Sequence, residues 1–478
     1  MAFDSNTANA LADQLARMKA AHVRDGQPDQ ATRARWIDRA VALLVENQNA
    51  LYDAVSADFG HRSKDQTAFA DLVQSVNALK HAKKNLRKWM KPSKRPVEFP
   101  LGLLGARAVL HYQPKGVVGI VSPWNFPIGM IFSPLAGIFA AGNRAMVKPS
   151  EFTARTSALV AELVPKYFDA EVLSVATGDA QTGAAFTALP FDHMIFTGST
   201  AVGRHVMRAA AENLVPVTLE LGGKSPTIVG QSANMAKSAR RIMHGKTLNA
   251  GQICTAPDYA LVPEGKTGEF VTATRAAVAE MYPSGLKDND DYGSIINQRH
   301  YDRLLGLIED ARQKGAEIVE INPKGENFTQ QPHHKIPPHL ILNATDDMAV
   351  MQEEIFGPIL PVRTYRKIDD AIAMINDRPR PLALYYFGEA AEEREHVLNR
   401  TTSGGVTVND TLFHVAQEDL PFGGTGPSGM GNYHGWEGFL TFSHAKGVYR
   451  QTGSEIIKML RPPYGAAIRK EIRKRLTK

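Results

Sequence analysis

The sequence predicts an α/β protein whose first half forms a doubly wound parallel sheet. Short apolar runs rich in β-branched residues alternate with helical segments, beginning with the run 116–121. Such runs are typical of parallel strands buried on both faces, and their alternation with helices is typical of a doubly wound sheet. A second α/β pattern follows Gly222 and Gly223 and continues to about Asp410. A chain of 478 residues is too long for one core, so two or three domains are expected.

Helices and strands follow one another in a regular order. Amphipathic helices are predicted over 31–57 and 67–90, before prolines break the pattern, and an exposed strand follows over 106–113. The first α/β unit then has predicted strands over 116–121, 144–147, 172–176 and 194–197, separated by helices over 128–141, 153–167, 181–189 and 201–212. The second unit has predicted helices over 234–248, 268–281 and 298–314 and a strand over 259–262. The stretch 439–449 is strand-like and is expected to pair with the strand over 106–113.

The composition excludes several functional classes. The net charge of +6 comes from 55 basic and 49 acidic residues, an excess too mild to indicate a nucleic-acid partner. The single cysteine can form no internal disulfide and no cysteine-rich metal centre, and the histidines show no ligand pattern, so no metal is predicted. The polar N-terminus lacks the apolar core of a signal peptide, and the longest apolar run, 131–141, is too short to span a bilayer. We therefore expect a cytoplasmic protein.

The only thiol of the chain lies in Asn249-Ala-Gly-Gln-Ile-Cys254, just after a predicted helix. A free cysteine is most often a small buried hydrophobic residue, and that alternative stays open. Gly251, however, permits a tight turn that can present a thiol in a cleft. Because a free thiol ionises at about pH 8.5, a nucleophilic Cys254 would need nearby donors or dipoles that favour the thiolate.

Two further polar residues lie where parallel strands end. Glu220 ends the stretch Val217-Thr-Leu-Glu220, and a carboxylate in that place faces the ligand crevice of such a sheet. There it could activate a thiol, or a water molecule that hydrolyses a thioester. Asn125 follows the first buried strand in Pro-Trp-Asn-Phe-Pro, where its amide could stabilise an oxyanion. A surface glutamate and a turn asparagine between two prolines are the alternatives.

Three other segments have the composition of a nucleotide site. Lys148 ends a predicted strand in Val-Lys-Pro-Ser-Glu, so a cation and a carboxylate lie where ribose hydroxyls would be bound. The turn Thr197-Gly-Ser-Thr-Ala-Val-Gly203 joins a strand to a helix, whose N-terminal N–H groups and dipole suit a phosphate. Glu353-Glu-Ile-Phe-Gly-Pro is a further acidic and aromatic turn. Each of these segments, taken alone, is also compatible with an ordinary surface loop.

In order and in spacing, these motifs resemble those of the aldehyde dehydrogenase superfamily from about Gln27 to Pro463. Together they are very specific: Pro-Trp-Asn-Phe-Pro, Lys-Pro-Ser-Glu, Phe-Thr-Gly-Ser-Thr, Leu-Glu-Leu-Gly-Gly-Lys-Ser-Pro, Gly-Gln-Ile-Cys and Glu-Glu-Ile-Phe-Gly-Pro. The compact N-terminus and the segments 254–259 and 420–435 are similar to the class 3 branch of the superfamily. The segment 408–417 is similar to that of the coniferyl aldehyde dehydrogenases.

The resemblance implies a fold of three parts. These are a Rossmann-type NAD-binding domain over 1–105 and 120–222, a catalytic α/β domain over 223–412, and a small β bridging (oligomerisation) element over 106–119 and 436–460 that pairs two subunits into a homodimer. The segment 461–478 remains as a basic C-terminal tail. We expect a solvated helix there, because Ile468, Ile472 and Leu476 share one helical face among basic residues. Peripheral contact with an anionic membrane is the lesser alternative.

The resemblance also implies that the chain oxidises an aldehyde to an acid. NAD is the implied cofactor, and NADP is a possible second one. Cys254 would attack the carbonyl carbon, Asn125 and the Cys254 backbone N–H would hold the oxyanion, and Glu220 would activate the water that hydrolyses the thioester. NAD is expected to be preferred, since a carboxylate at position 151 accepts a hydrogen bond from a 2′-hydroxyl and repels a 2′-phosphate. The residues implied to bind the cofactor are Trp124, Lys148, Ser150, Glu151, Gly198, Ser199, Gly203, Leu221, Glu354 and Phe356.

The substrate is expected to be a bulky, uncharged aromatic aldehyde such as coniferyl aldehyde. The residues near Asn125 and Cys254 are mostly apolar or aromatic, which suits an apolar ligand, and no arginine occurs in these motifs to pair with a second carboxylate. Medium- and long-chain aliphatic aldehydes are the alternative. A CoA-dependent acyl transferase of the same fold, disfavoured by Glu220, and a non-catalytic binding protein are more remote. The predicted pocket residues are Phe126, Met130, Ile253, Thr255, Phe413 and His414.

Overall fold

The computed structural model describes residues 5–99, 101–453, 458 and 460–477. Three β-sheets organise this part of the chain. The first sheet contains, in spatial order, β15 (Gly429–Met430), β7 (Val217–Leu221), β6 (His193–Gly198), β3 (Val117–Val121), β4 (Arg144–Lys148) and β5 (Leu173–Val175). Every neighbouring pair is parallel except β15 with β7. The α/β class and the Rossmann-type first sheet are therefore confirmed.

Helices cover both faces of the first sheet. Val118 and Ile120 of β3 pack into one apolar cluster and Val117 packs into another, because successive side chains of a strand point to opposite faces. Burial on both faces explains why these strands occur in the sequence as short continuous apolar runs. The helices of this half are α1 (Ser5–Asp25), α2 (Gln30–Glu46), α3 (Gln48–Phe59), α4 (Lys64–Thr67), α5 (Gln74–Trp89), α6 (Gly129–Ala141), α7 (Ala154–Tyr167), α8 (Ala180–Thr187) and α9 (Thr200–Ala211).

The first two predicted helices are interrupted in the structure. The prediction of a single helix over 31–57 is wrong, because the helix is interrupted at Asn47, between α2 and α3. The Asn47 side chain donates hydrogen bonds to the Leu43 carbonyl (2.8 Å) and to the Tyr167 hydroxyl (2.9 Å), which favours a cap over a continuous helix. The helix expected over 67–90 is present as α5, preceded by a π-helical segment, Ala68–Val73.

The second sheet has seven strands and takes up most of the second half of the chain. In spatial order they are β10 (Glu317–Glu320), β11 (His339–Leu342), β12 (Ile359–Tyr365), β9 (Tyr259–Pro263), β8 (Pro226–Val229), β13 (Ala383–Phe387) and β14 (Gly405–Val408). All pairs are parallel except β10 with β11. Its helices are α10 (Met235–Thr247), α11 (Thr267–Met281), α12 (Gln298–Gln313), α13 (Ala349–Gln352), α14 (Ile368–Asn376) and α15 (Ala391–Arg400).

A third, antiparallel sheet joins β1 (Ser93–Arg95), β2 (Arg107–Pro114) and β16 (Ser443–Arg450). The expected pairing of the late strand with the early one is confirmed, but the strand begins only at Ser443. The residues before it form helix α16 (Gly435–Thr441) instead. Phe439 of α16 is fully buried, and Gly438 lies against Gly137 of α6. Helix packing on α6, rather than strand propensity, therefore decides the start of β16.

The basic tail contains helix α17 (Ala466–Leu476). Ile468 is buried, whereas Ile472 is 47% and Leu476 is 80% exposed. The predicted helix is thus present, and most of its apolar face is open to solvent. None of the helices in the described ranges combines the length and the apolar character needed to cross a membrane.

Candidate active site

A cavity of about 710 Å³ lies between the carboxyl ends of the first-sheet strands and loops of the second half of the chain. Asn125 follows β3, Glu220 lies near the end of β7, and Cys254 precedes β9. All three line this cavity, so the structure brings the three predicted catalytic side chains together. The cavity opens at the place where strand order reverses in a doubly wound sheet, which is where such folds bind ligands.

The backbone before Cys254 has an irregular conformation. After α10 ends at Thr247, Asn249 and Ala250 have φ values of 49° and 50°, and Gly251 has φ 74°. A β-carbon at Gly251 would collide with the carbonyl of Gly357. Glycine is therefore required here both by the left-handed conformation and by the close approach of a second chain segment. This turn ends the helix and places Cys254, half-buried, in the cavity wall.

Buried amide side chains hold the Cys254 loop against the Asn125 loop. Asn125 donates from Nδ2 to the Gln252 carbonyl (3.1 Å), and Asn249 donates from Nδ2 to the Asn125 carbonyl (3.1 Å). Gln252 donates from Nε2 to the carbonyls of Asn249 (2.9 Å) and Ser294 (3.0 Å). All of these side chains are at least nine-tenths buried. The hydrogen bonds therefore fix the Asn125 amide and the thiol in one rigid unit.

A buried arginine supports the same unit from behind. Arg62, just after α3, donates from Nη1 to the Asn125 carbonyl at 2.7 Å and lies over the ring of Phe126 at 4.9 Å. Its guanidinium is 3.8 Å from the Asp71 carboxylate, which in turn accepts from the backbone N–H of Gly129. Local sequence patterns do not reveal the roles of Arg62, Asn249 and Gln252, because their contacts with Asn125 and Ser294 join distant parts of the chain.

The electrostatic surroundings of Glu220 and Cys254 favour their protonated forms. Glu220 is 3% exposed, and within the described ranges neither carboxylate oxygen has a hydrogen-bond partner. Burial raises the pKa of Glu220 well above its ordinary value. Burial also raises the pKa of Cys254 to about 12, and the nearby carboxylates of Glu354 and Glu220 add to this shift. In this unliganded arrangement Cys254 is therefore a neutral thiol near pH 7, and burial disfavours the charged form of Glu220.

The predicted phosphate turn lies at one end of the cavity. Gly198, Ser199 and Thr200 line it, and Ser199 caps helix α9 by accepting from the Val202 N–H at 3.4 Å. The N-terminal N–H groups of this helix therefore face the cavity. Gly203 and Leu221 do not line it: a β-carbon at Gly203 would lie 2.6 Å from a Leu221 methyl, so this glycine permits α9 to pack closely on β7.

Glu354, Phe356 and Trp124 lie at the same end of the cavity. The Glu354 carboxylate lies over Gly222, leaving no room for a β-carbon there, and its Oε1 atom has no partner among the described residues. Burial raises the pKa of Glu354 to about 8, with Asp258 contributing further. Phe356 has φ 48° and packs edge-on against Trp124, with ring centroids 5.3 Å apart. An unpartnered carboxylate oxygen beside a helix N-terminus suits a ligand with hydroxyl and phosphate groups.

The Lys148 turn does not line the cavity itself. Lys148 is 3% exposed, donates to the Pro149 carbonyl at 2.8 Å, and lies 3.8 Å from the Glu151 carboxylate. Ser150 accepts from the Phe152 N–H at 3.2 Å, and Glu151 is exposed. These residues lie at the carboxyl end of β4, two strands along from β6 in the same sheet.

The opposite end of the cavity is mainly apolar and contains the predicted pocket residues except one. Phe126, Met130, Ile253, Thr255 and Phe413 line the cavity. His414 is placed differently from its prediction: it is buried, its Nδ1 lies 2.7 Å from the Thr407 hydroxyl, and its ring packs on Tyr385. The chain turns sharply at Leu412, whose φ is 67°, so Phe413 is exposed and His414 points inward.

Several lining residues were not predicted from the sequence. Ser133 is one helical turn after Met130 on α6, and helical spacing could have identified it. The others have no local signal, since they reach the cavity from helices and loops distant in the chain: Gln74, His300, Arg303, Glu418, Tyr433 and His434. Arg303 is an arginine that the motifs lacked, but it lies at the end of the cavity that contains Glu354 and bonds the Ile355 carbonyl at 2.5 Å.

Comparison with known proteins identifies relatives over nearly the whole chain. The sequence model of the aldehyde dehydrogenase family matches residues 3–448. A coniferyl aldehyde dehydrogenase of a Pseudomonas species is 56% identical over 462 residues, covering 96% of this chain and 95% of that protein. A "probable coniferyl aldehyde dehydrogenase" of Caulobacter vibrioides is 57% identical over 461 residues, with 96% and 95% covered.

Solved structures agree with this. The substrate-bound state of Staphylococcus aureus AldH has a TM-score of 0.91 and 37% identity, covering 97% of this chain and 99% of that one. An aldehyde dehydrogenase of Mycobacterium tuberculosis complexed with NAD+ has a TM-score of 0.84 and 28% identity, with 94% and 92% covered. The shared fold, the sequence identity and the common cavity of Asn125, Glu220 and Cys254 lead to one conclusion. The chain belongs to the aldehyde dehydrogenase family.

Proposed function

We propose that this aldehyde dehydrogenase oxidises an arylpropenal, of which coniferyl aldehyde is an example, to the corresponding acid with a nicotinamide cofactor. The observation that carries the proposal is the single cavity that holds Cys254, Glu220 and Asn125 between a cofactor-like end and an apolar end. The names of the two relatives above indicate the aldehyde, and both share more than half of their residues with this chain.

The three central side chains suit covalent oxidation. Cys254 loses its proton to solvent, and the thiolate attacks the carbonyl carbon. The carbonyl oxygen becomes an oxyanion that the second Asn125 Nδ2 hydrogen and the Cys254 N–H would stabilise. A bound nicotinamide cofactor would supply the hydride acceptor and a positive charge beside Cys254. Loss of hydride from the tetrahedral carbon leaves a thioester on the sulfur. Ionised Glu220 then takes a proton from water, whose oxygen attacks the thioester. The C–S bond breaks, the acid leaves, and Glu220 returns the proton to the Cys254 sulfur.

The cofactor end has the groups that a dinucleotide needs. Backbone N–H groups at the start of α9 suit a pyrophosphate, and the unpartnered Glu354 oxygen suits a ribose hydroxyl. Lys148 and Glu151, at the end of β4, would bind the second ribose. The cofactor set therefore consists of Trp124, Lys148, Ser150, Glu151, Gly198, Ser199, Glu354 and Phe356, with Gly203 and Leu221 shaping the site by packing.

The apolar end suits an aromatic ring. Phe126, Met130, Ile253 and Phe413 surround it, and aromatic walls stabilise a ring by edge and offset contacts. A charged semialdehyde would meet no lysine or arginine side chain at this end in the described part of the chain. His414 takes no part in this pocket, because it faces Thr407.

We further propose a cytoplasmic homodimer. The strand β16 forms an edge of the third sheet, and no described strand pairs with its outer side. Its side chains are exposed from His444 onward. An unpaired edge of this length is a template for strand pairing with a second copy. The division into domains predicted from the sequence is also part of this proposal. It needs one addition, because β15 joins the first sheet although it lies outside the range predicted for the cofactor-binding domain.

A substrate panel with a nucleophile variant tests the proposal. Cinnamaldehyde-type aldehydes should give a higher kcat/KM than benzaldehyde, decanal or acetaldehyde, and Cys254→Ala should produce no NADH while still binding NAD in calorimetry. Product should form without CoA. Turnover by Cys254→Ala would overturn the mechanism, and preference for decanal would overturn the substrate class. A strict requirement for CoA would indicate acyl transfer instead.

A further inference from the structure

Four polar or aromatic residues lie between the apolar end of the cavity and a second, smaller void. Ser133, Glu418, Tyr433 and His434 line both the main cavity and the void, whose volume is about 10 Å³. A space of that size holds about one water molecule. We call these four residues the polar end wall. It is unexpected in a pocket that is otherwise apolar, because a polar group away from water is unfavourable unless something binds it.

The polar end wall lies at the substrate end, at a distance from the thiol. Tyr433 is fully buried, and its pKa is raised by burial and then by Glu220, Cys254 and Glu418. The Tyr433 hydroxyl lies 3.9 Å from the sulfur of Met130, which places the Tyr433 ring at the apolar end of the cavity. A substrate whose carbonyl carbon is at Cys254 would extend along Tyr433 toward Glu418.

Glu418 presents a carboxylate that the protein leaves without a donor. It is half-buried, and in the ranges the structure describes no side chain or backbone N–H bonds to its oxygens and no cation pairs with it. Burial, followed by Asp419, raises its pKa to about 7. The adjacent Asp419 contrasts with it: that carboxylate is 85% exposed, lies 3.1 Å from His81 and does not line the cavity.

His434 adds a second unsatisfied group to the same wall. It is 7% exposed, and its Nδ1 atom has no hydrogen-bond partner among the described residues. The ring is fixed by stacking on Phe422 at 5.1 Å and by edge contact with Tyr433 at 4.6 Å. Buried polar atoms are rarely left unpaired in a folded protein, so an unpaired nitrogen beside a substrate cavity indicates a ligand group.

We propose that Glu418 and His434 bind the para-hydroxyl group of an aromatic aldehyde, and that the enzyme thereby selects para-hydroxylated arylpropenals over unsubstituted aromatic and aliphatic ones. A phenol hydroxyl donates to the Glu418 carboxylate, and its oxygen accepts from His434. Ser133 offers a third polar contact for a neighbouring ring substituent. A hydrogen bond to a charged acceptor is stronger than one between neutral groups, so the hydroxyl contributes to selectivity and not only to fit.

The same carboxylate excludes a class of substrates. A substrate with a second carboxylate at its far end would place two like charges together in a desolvated site, which is unfavourable. The selection of a hydroxyl and the rejection of a carboxylate therefore come from one residue. This inference rests on the proposed oxidation of arylpropenals, but it concerns the ring substituent and can fail separately.

The test compares three aldehydes on the full-length wild-type enzyme and on two variants. The aldehydes are cinnamaldehyde, para-hydroxycinnamaldehyde and para-methoxycinnamaldehyde, which has no hydroxyl donor. The variants are Glu418→Leu and, as a matched control, Asp419→Asn. We expect wild-type kcat/KM to be about tenfold higher for the hydroxy than for the methoxy compound. In Glu418→Leu this ratio should fall to about one, whereas Asp419→Asn should keep or raise it, because loss of the neighbouring charge favours ionised Glu418.

Each outcome separates the inference from the function it rests on. If the wild-type enzyme oxidises none of the three aldehydes, the proposed function fails. If it oxidises all three equally well, or if Glu418→Leu lowers all three kcat/KM values by the same factor, the function stands and the hydroxyl site is wrong. The wild-type ratio requires no variant, so the inference can be overturned even if Glu418→Leu does not fold.

Discussion

The two walls of the active-site cavity are built by different means. The wall from the first sheet consists of regular elements: Glu220 extends from a strand, and Ser199 begins a helix. The wall from the second half consists of loops with left-handed backbone at Asn249, Gly251 and Phe356. The regular wall therefore depends on side-chain chemistry at fixed strand ends, whereas the irregular wall depends on a backbone held by buried amides and by Arg62.

This comparison predicts where substitutions act. On the regular wall, replacing a functional side chain should alter chemistry and leave stability almost unchanged, because the strand or helix persists without it. On the irregular wall, a change that leaves every functional side chain intact should still be damaging, because the backbone itself presents Cys254. The four predictions that follow test this difference.

The largest expected effect is on the regular wall, at Glu220. Glu220→Gln keeps the size of the side chain but cannot accept a proton from water, so thioester hydrolysis should slow by about 10²–10³-fold. Mass spectrometry should then show an acyl adduct on Cys254, with unchanged thermal unfolding. Thr218→Val, two residues earlier on β7, is the control: it removes a hydrogen bond to His193 and should cost about 1 kcal/mol of stability without any adduct. Unimpaired hydrolysis in Glu220→Gln would contradict the assigned role.

The next prediction concerns the ionisation of the thiol on the irregular wall. With a pKa of about 12, Cys254 is protonated at neutral pH in the unliganded enzyme. Because the folded-state pKa is raised, the thiolate fraction and the alkylation rate by iodoacetamide should rise about tenfold per pH unit between about pH 7 and pH 10 without a plateau. Cys254 is the only cysteine, so incorporation measured by mass spectrometry is unambiguous.

Glu354→Gln provides the matched variant for this measurement. The Glu354 carboxylate has a pKa of about 8 and raises the pKa of Cys254 when it is ionised. The variant should therefore be alkylated faster than wild type above pH 8 and at the same rate well below it. A plateau near pH 7 in wild type would show that the loop already stabilises the thiolate.

The third prediction separates backbone strain from steric collision. Gly251 and Gly265 have similar φ values, 74° and 82°, but a β-carbon at Gly265 meets nothing within 4 Å, whereas one at Gly251 meets the Gly357 carbonyl. Gly265→Ala should cost about 1 kcal/mol from strain alone, and Gly251→Ala about 3 kcal/mol or more, with loss of activity. Urea unfolding of both variants measures the difference. Equal costs would mean that the loop can move and is not rigid.

The same contrast explains what the sequence could predict. The strands of the first sheet and the placement of Glu220, Asn125 and Ser199 follow from local patterns, because apolar runs and strand ends are encoded by neighbouring residues. Arg62 and Gln252 could not be predicted this way, since each bonds to a residue more than 40 positions away, and the polar end wall combines Ser133 with residues from a distant part of the chain. His414 shows the limit within a motif: its neighbour Phe413 reaches the pocket, and one turn of backbone directs His414 away from it.

The smallest expected effect is on cofactor preference, at the edge of the regular wall. Glu151 is exposed and lies 3.8 Å from Lys148, at the carboxyl end of β4 where the adenine ribose is proposed to bind. A carboxylate there favours a 2′-hydroxyl and repels a 2′-phosphate, so the wild-type kcat/KM should be higher for NAD than for NADP. Glu151→Gln removes the repulsion but keeps a hydrogen-bond acceptor, so the ratio of kcat/KM for NAD to that for NADP should fall by about three- to tenfold, mainly through a lower KM for NADP.

Glu162→Gln is the control, because Glu162 is likewise exposed and paired with a lysine, Lys166, but lies on α7. A wild-type preference for NADP, or an equal change of the ratio in both variants, would show that the charge at position 151 does not select the cofactor.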